Sequence, residues 1–131
     1  MDARTRTPIR SYKDLEVWQR SMDLVVECYK AAKAFPSEER YGLTAQLRRS
    51  AVSVPSNIAE GRGRRGIGEF LYHLGVAYGS LMEIETQLLI AIRLNYLTDV
   101  QGDDVLGRLG EVRRLLAGMI RALQSRRRTS R

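Results

Sequence analysis

Four stretches of this chain place apolar residues three or four positions apart, and none alternates as a half-buried strand does. That periodicity decides the fold class. A stripe at this spacing is one face of an α-helix, and such a face must be buried against another element. The first stretch, residues 14–35, carries Leu15, Trp18, Met22, Val25, Tyr29 and Ala32, with Asp14 as expected N-cap and Pro36 as stop. The second begins near Glu38 or Tyr41 and carries Leu43, Leu47, Ala51, Val54 and Ile58. Pro55 lies inside it. Either it kinks the helix, with Ser50, Ser53 and Ser56 taking up freed carbonyls, or Asn57 caps a new short helix with Glu60 at its third position.

The third stretch, from Ile67 to Leu97, is the longest and would span roughly 45 Å as a helix. Its stripe is Phe70, Leu74, Ala77, Leu81, Ile84, Leu88, Ala91 and Leu94, and Leu71, Val76, Tyr78, Leu89, Ile90 and Ile92 lie outside that stripe. More than one face must therefore be covered, either as a central helix of one bundle or against another subunit. Gly75 and Gly79 stand four apart, a spacing that lets a neighbouring helix approach closely. The fourth stretch runs from about Asp103 to Ser125 on Leu106, Leu109, Val112, Leu116, Met119 and Leu123. The turns at 35–40 and 98–102 are short, so the helices they join are antiparallel neighbours. The expectation is an all-α, up-and-down antiparallel four-helix bundle with a kinked second helix and a long third. It occupies residues 14–125, between basic tails at 1–13 and 126–131.

A length of 131 residues suits one domain with one core. The net charge is +7, unevenly placed. Arg4, Arg6, Arg10 and Lys13 against Asp2 give the first 13 residues +3; Arg121, Arg126, Arg127, Arg128 and Arg131 give the last 11 residues +5; the remainder sums to −1. Such ends either hold phosphates electrostatically or merely solubilise. Of the 22 basic residues 19 are arginine, whose guanidinium fork matches phosphate and carboxylate. One cysteine, Cys28, permits no internal disulfide. The first residues, MDARTRTPIRSYKD, contain no apolar core of a secretory signal, and no uncharged stretch is long enough to span a membrane, so a cytoplasmic location is expected.

Gly61-Arg62-Gly63-Arg64-Arg65-Gly66 fits G-x-G-x-x-G, the fingerprint of a dinucleotide-binding turn. That fingerprint needs a strand immediately before it and a second β unit after it. Here Pro55 to Glu60 intervene and helix follows, so no nucleotide cofactor is expected. The run reads instead as a helix-to-helix corner whose glycines allow positive φ. It presents Arg62, Arg64 and Arg65 beside the start of the third helix, where free N–H groups add to an anion site.

Catalytic arrangements are not apparent. His73 is the only histidine, with Glu69 four residues before it and no second Glu-x-x-His, so neither a metal nor any cofactor is expected. Cys28 reads as a small core residue, and Ser50, Ser53 and Ser56 have no evident base. Glu60, Glu69, Glu83 and Glu85 are better placed to pair with Arg48, Arg49 or Arg93 across helices than to do acid–base chemistry.

The runs DLEVWQRSMDLV, FPSEERYGLTAQLRRSAVSVPSNIAEGRGR and EFLYHLGVAYGSLMEIETQL, in that order, resemble the small bacterial four-helix-bundle proteins named after intervening sequences of 23S ribosomal RNA genes. The accessory variability proteins of diversity-generating retroelements are similar. The most specific parts are Leu15 to Trp18, Gln46 to Arg49, Ser56 to Gly61, Glu69-Phe70 and Gly79-Ser80, and the resemblance covers residues 12–97 best. It implies a four-helix bundle and a homopentameric barrel. For the retroelement relatives it implies a basic surface that meets nucleic acid and reverse transcriptase, which maps here onto Arg48, Arg49, Arg62, Arg64 and Arg65. It brings no catalytic residues. Two functions follow as expectations. The first is a non-enzymatic homo-oligomeric scaffold, pentameric by the resemblance, binding RNA or DNA through those arginines. The alternative is an interaction module whose oligomer is a platform for a protein partner. Neither involves a membrane.

Overall fold

The computed structural model describes residues 9–129; Arg4, Arg6 and Arg131 of the expected tails lie outside them. Four helices follow in order: α1 (Glu16–Ala32), α2 (Leu43–Gly63), α3 (Ile67–Arg93) and α4 (Asp99–Thr129). Among the described residues there is no strand. Each helix packs on the helix next to it in sequence, and α4 closes the ring on α1, so α1 and α3 stand diagonally. This is the up-and-down bundle the periodicity requires.

The stripes expected for α2 and α4 face inward: Leu47, Ala51, Val54 and Ile58 meet Leu109, Val112 and Leu116 in one core, with Leu74, Ala77, Leu81, Ile84, Leu88 and Ala91 of α3. Of the stripe expected for α1, the two ends, Leu15 and Ala32, are buried, but between them the buried series is displaced by one position. Val17, Ser21, Leu24, Cys28 and Ala31 are buried, while Met22 is 42% and Tyr29 38% exposed. The chain carries two adjacent apolar stripes on α1, and the one with smaller side chains lies against the core. Cys28 is fully buried, and burial pushes its thiol up to about 12.

Several boundaries differ from the sequence expectation, each for a local reason. Asp14 does not cap α1. Its carboxylate accepts backbone N–H bonds from Arg10 (2.8 Å) and Ser11 (3.2 Å), closing a capping box around the short 3-10 turn Tyr12–Asp14, and α1 starts after Leu15. The helix α2 runs unbroken through Pro55, so Asn57 caps nothing; its amide donates to the Ser53 carbonyl at 2.9 Å. The third helix ends at Arg93, four residues early. Asn95 takes a left-handed φ of 62°, and Asn95 and Tyr96 donate to the Ile92 and Ala91 carbonyls, a Schellman closure. The fourth begins at Asp99, four residues early, because Thr98 and Gln101 exchange reciprocal bonds: Gln101 N–H donates to Thr98 Oγ1 at 3.1 Å, and Thr98 N–H to Gln101 Oε1 at 2.9 Å. It also continues to Thr129, so Arg126, Arg127 and Arg128 are helical.

Ser50 and Ser53 of α2 bond to α3 rather than to the backbone around Pro55. Gln87 Nε2 donates to Ser50 Oγ (3.2 Å), Ser80 Oγ to Ser53 Oγ (2.8 Å), and His73 Nδ1 lies 3.2 Å from Asn57 Oδ1. The α3 members recur every seven residues, the coiled-coil repeat, so a polar seam runs along the most extensive helix pair of the bundle.

At one end of the bundle Glu39 ties three elements together. It accepts the Leu43 N–H at 3.0 Å at the start of α2 and the Tyr96 hydroxyl at 2.8 Å. Those two bonds, the backbone one foremost, hold its carboxyl below the ordinary carboxylate range. A depressed folded-state pKa stabilises at neutral pH, and the gain is lost as pH falls through that pKa. At neutral pH, Glu39→Gln is expected to unfold at lower urea than the parent. The gap should close as pH falls through that depressed pKa, where the parent's carboxyl is itself protonated. A gap that is constant across urea titrations at each pH would take the charge out of this cap.

Candidate nucleic-acid interface

The opposite end of the bundle gathers the end of α2, the start of α3, the end of α4 and the segment before α1. The corner between α2 and α3 is tight. Of its glycines only Gly66 has positive φ, at φ 86° and ψ 151°, a conformation that side chains disfavour. Gly61 and Gly63 are helical. Gly61 is needed for closeness instead: a Cβ there would stand 2.8 Å from His73 Cβ and 3.0 Å from Phe70 Cδ1. With glycine at its N-cap, α3 receives no side-chain cap, and its first turn presents the positive end of a 27-residue helix.

Around that turn lie two grooves. One, of about 600 Å³, has a floor of Leu15, Ile67, Phe70 and Leu123, with Arg62, Arg64 and Arg126 at its edge. The other, of about 640 Å³, lies between Gly68, Leu71 and Tyr72 of α3 and Arg127 and Arg128 of α4. Arg64 is also 3.7 Å from Glu60, one turn back on α2, and Glu60 in turn lies 3.5 Å from His73. Both carboxylate contacts are at the surface and contribute little to stability.

Of the five arginines singled out in the sequence, Arg62 and Arg64 line the first groove. Arg65 is exposed on the same corner but does not line it. Arg48 and Arg49 are elsewhere, about 20 Å back along α2 at 1.5 Å per residue. The Arg48 guanidinium stacks over Tyr29 at 5.1 Å, and its Nε is buried with no partner, so it belongs to the α1–α2 packing. Arg49 is exposed. The cross-helix pairs expected of these arginines do not form among the described residues; Glu85 pairs instead with Arg113 at 3.7 Å.

Sequence reasoning placed Arg126, Arg127 and Arg128 in a tail and so missed that α4 carries them onto the start of α3. Two signals were available: apolar spacing continues through Leu116, Met119 and Leu123, and neither glycine nor proline follows before Thr129. No group of three or more histidine, cysteine, aspartate or glutamate side chains that could hold a metal occurs among the described residues. No described helix is long and apolar enough to cross a membrane.

The sequence model of the 23S rRNA-intervening sequence protein family matches residues 13–118. A solved structure from Bacteroides thetaiotaomicron VPI-5482, described as a protein of unknown function from the S23 ribosomal protein family, is 26% identical. It superposes with a TM-score of 0.74, over 79% of this chain and 97% of that one. No curated protein matches. The family match ends before Arg126, so the α4 side of both grooves lies beyond it.

Proposed function

This chain belongs to the 23S rRNA-intervening sequence protein family, and from that premise we propose a non-enzymatic cytoplasmic scaffold whose copies close into a pentameric ring and hold RNA or DNA at their arginine-rich ends. One observation carries the nucleic-acid reading: Arg62, Arg64, Arg126, Arg127 and Arg128, from segments more than 60 residues apart, converge on the uncapped start of α3. Clustered guanidinium groups beside free helical N–H groups suit phosphate oxygens. Repeating the cluster around a ring multiplies its field.

Association is supported by two unlike apolar faces on diagonal helices. The outer face of α1 presents Met22, Val26 and Tyr29, with Trp18 half-buried beside them. The outer face of α3 presents Val76 and Ile90 around Gly75 and Gly79, where an added Cβ would meet nothing within 4 Å. Bulky residues on one side and a glycine-lined face on the other suit head-to-tail contact, and head-to-tail contacts that close make rings.

Labelled structured RNA and duplex DNA, titrated by fluorescence anisotropy at low and physiological salt, test the reading, with mass followed by light scattering. Replacing Arg62, Arg64 and Arg65 together by alanine should weaken binding and reduce the slope of log affinity against log salt by roughly 2 to 3. Unchanged affinity and slope would discard the corner. Capture of one protein that survives nuclease treatment, with no affinity for either nucleic acid, would replace this function with the protein-platform alternative.

A further inference from the structure

We infer that the two grooves flanking the first turn of α3 take unpaired nucleotides, their bases seated on the apolar floors and their phosphates held by the arginines. The inference rests on the nucleic-acid reading and narrows it to single strands. The groove chemistry is mixed in a particular way. Ile67, Phe70 and Leu123 form a surface that a purely anionic ligand would leave uncovered, while Arg62, Arg64 and Arg126 border it with positive charge. A volume of about 600 Å³ falls within the range of small-ligand sites. A duplex offers such a groove only its phosphates, because its bases are stacked inside. An unpaired nucleotide offers both a flat apolar base and an anion.

The second groove is more polar, with Leu71 and Tyr72 as its apolar side. Tyr72 is 69% exposed, its ring open for stacking, and Arg127 and Arg128 face it from α4. Because Ile67 and Phe70 point to one groove and Gly68, Leu71 and Tyr72 to the other, both share one helical turn. A short stretch of strand crossing that turn would pass the positive helix end between its two seated bases. Stacking on aromatic side chains tolerates any base, so selectivity for single strands over duplex is expected without strong sequence preference.

The test uses the full chain at physiological salt, with four probes of equal length and label where applicable: a single-stranded RNA, the same strand with abasic residues, the blunt duplex, and a poly-glutamate peptide. The single strand should bind about tenfold or more tighter than the abasic strand and the duplex. Tyr72→Ala, on an exposed side chain and so safe for folding, should lower single-strand affinity about tenfold and leave the salt slope unchanged. Arg126→Ala with Arg127→Ala should reduce that slope by roughly 1 to 2. Equal affinity for the abasic and intact strands, or a preference for duplex, would overturn base seating while leaving an arginine site for nucleic acid. Binding of poly-glutamate as tight as that of the strand, or no binding of any nucleic acid, would overturn the broader function as well.

Discussion

Gly61→Val is expected to destabilise the bundle by about 3 kcal/mol, the upper part of the range for overpacking a close-packed site. The obstacle cannot move aside cheaply. A Cβ at Gly61 would stand 2.8 Å from His73 Cβ, 3.0 Å from Phe70 Cδ1 and 3.3 Å from the Phe70 carbonyl oxygen, and two of those three atoms are backbone or fixed to it. Relief requires α2 and α3 to separate at their arginine end. That would also strain the contact between His73 and Asn57 and the Ser80–Ser53 bond farther along the seam. For a chain of 131 residues the melting temperature should fall by roughly 10 °C. Gly63→Ala is the control. A Cβ at Gly63 meets nothing within 4 Å, so removing a helical glycine there should leave stability unchanged or raise it by up to about 1 kcal/mol. Thermal melts followed by circular dichroism separate the two. Equal melting temperatures for Gly61→Val and the parent would mean that the helices do not need this close approach.

The two glycines show what was legible in the sequence and what was not. The run Gly61 to Gly66 announced a corner, and the corner is there. Its glycines read alike, yet one is required for contact across α2–α3, one for its backbone angles, and Gly63 for neither. Only the packing distinguishes them. The stripes of α2 and α4 were legible because one apolar series dominates each helix. On α1 two series run side by side, and size misled: Trp18, Met22, Val25 and Tyr29 are the larger, but the space between α2 and α4 takes Ser21, Leu24, Cys28 and Ala31. The start of α4 was legible in principle as Thr98-x-x-Gln101, a capping box that precedes the acidic pair Asp103-Asp104. The candidate site was half legible. Arg62 and Arg64 stand in a marked turn. Arg126 to Arg128 lie at the end of a charge run that looks like a frayed tail, and only the length of α4 brings them to the same place.

Gly75→Leu combined with Gly79→Leu is expected to convert the proposed ring to single chains without unfolding them. Both glycines lie on the outer face of α3, where an added Cβ meets nothing in the same chain within 4 Å. The usual justification for paired glycines in a long helix is close approach of a neighbour, since each costs about 1 kcal/mol of helix propensity. Within one bundle that neighbour is missing, so the approach must come from outside the chain if the spacing is to repay its cost. The ring proposed above supplies it, with the Met22, Val26 and Tyr29 face of the next copy resting on the glycine face of this one. Leucine at both positions would hold the two surfaces apart by more than van der Waals contact permits and should weaken association at least 100-fold, about 2.7 kcal/mol. Helix content by circular dichroism should be unchanged, while light scattering reports the mass of one chain rather than several. Retention of the assembled mass in this variant would show that α3 turns its glycines to solvent, and would take the α3 face out of the subunit contact.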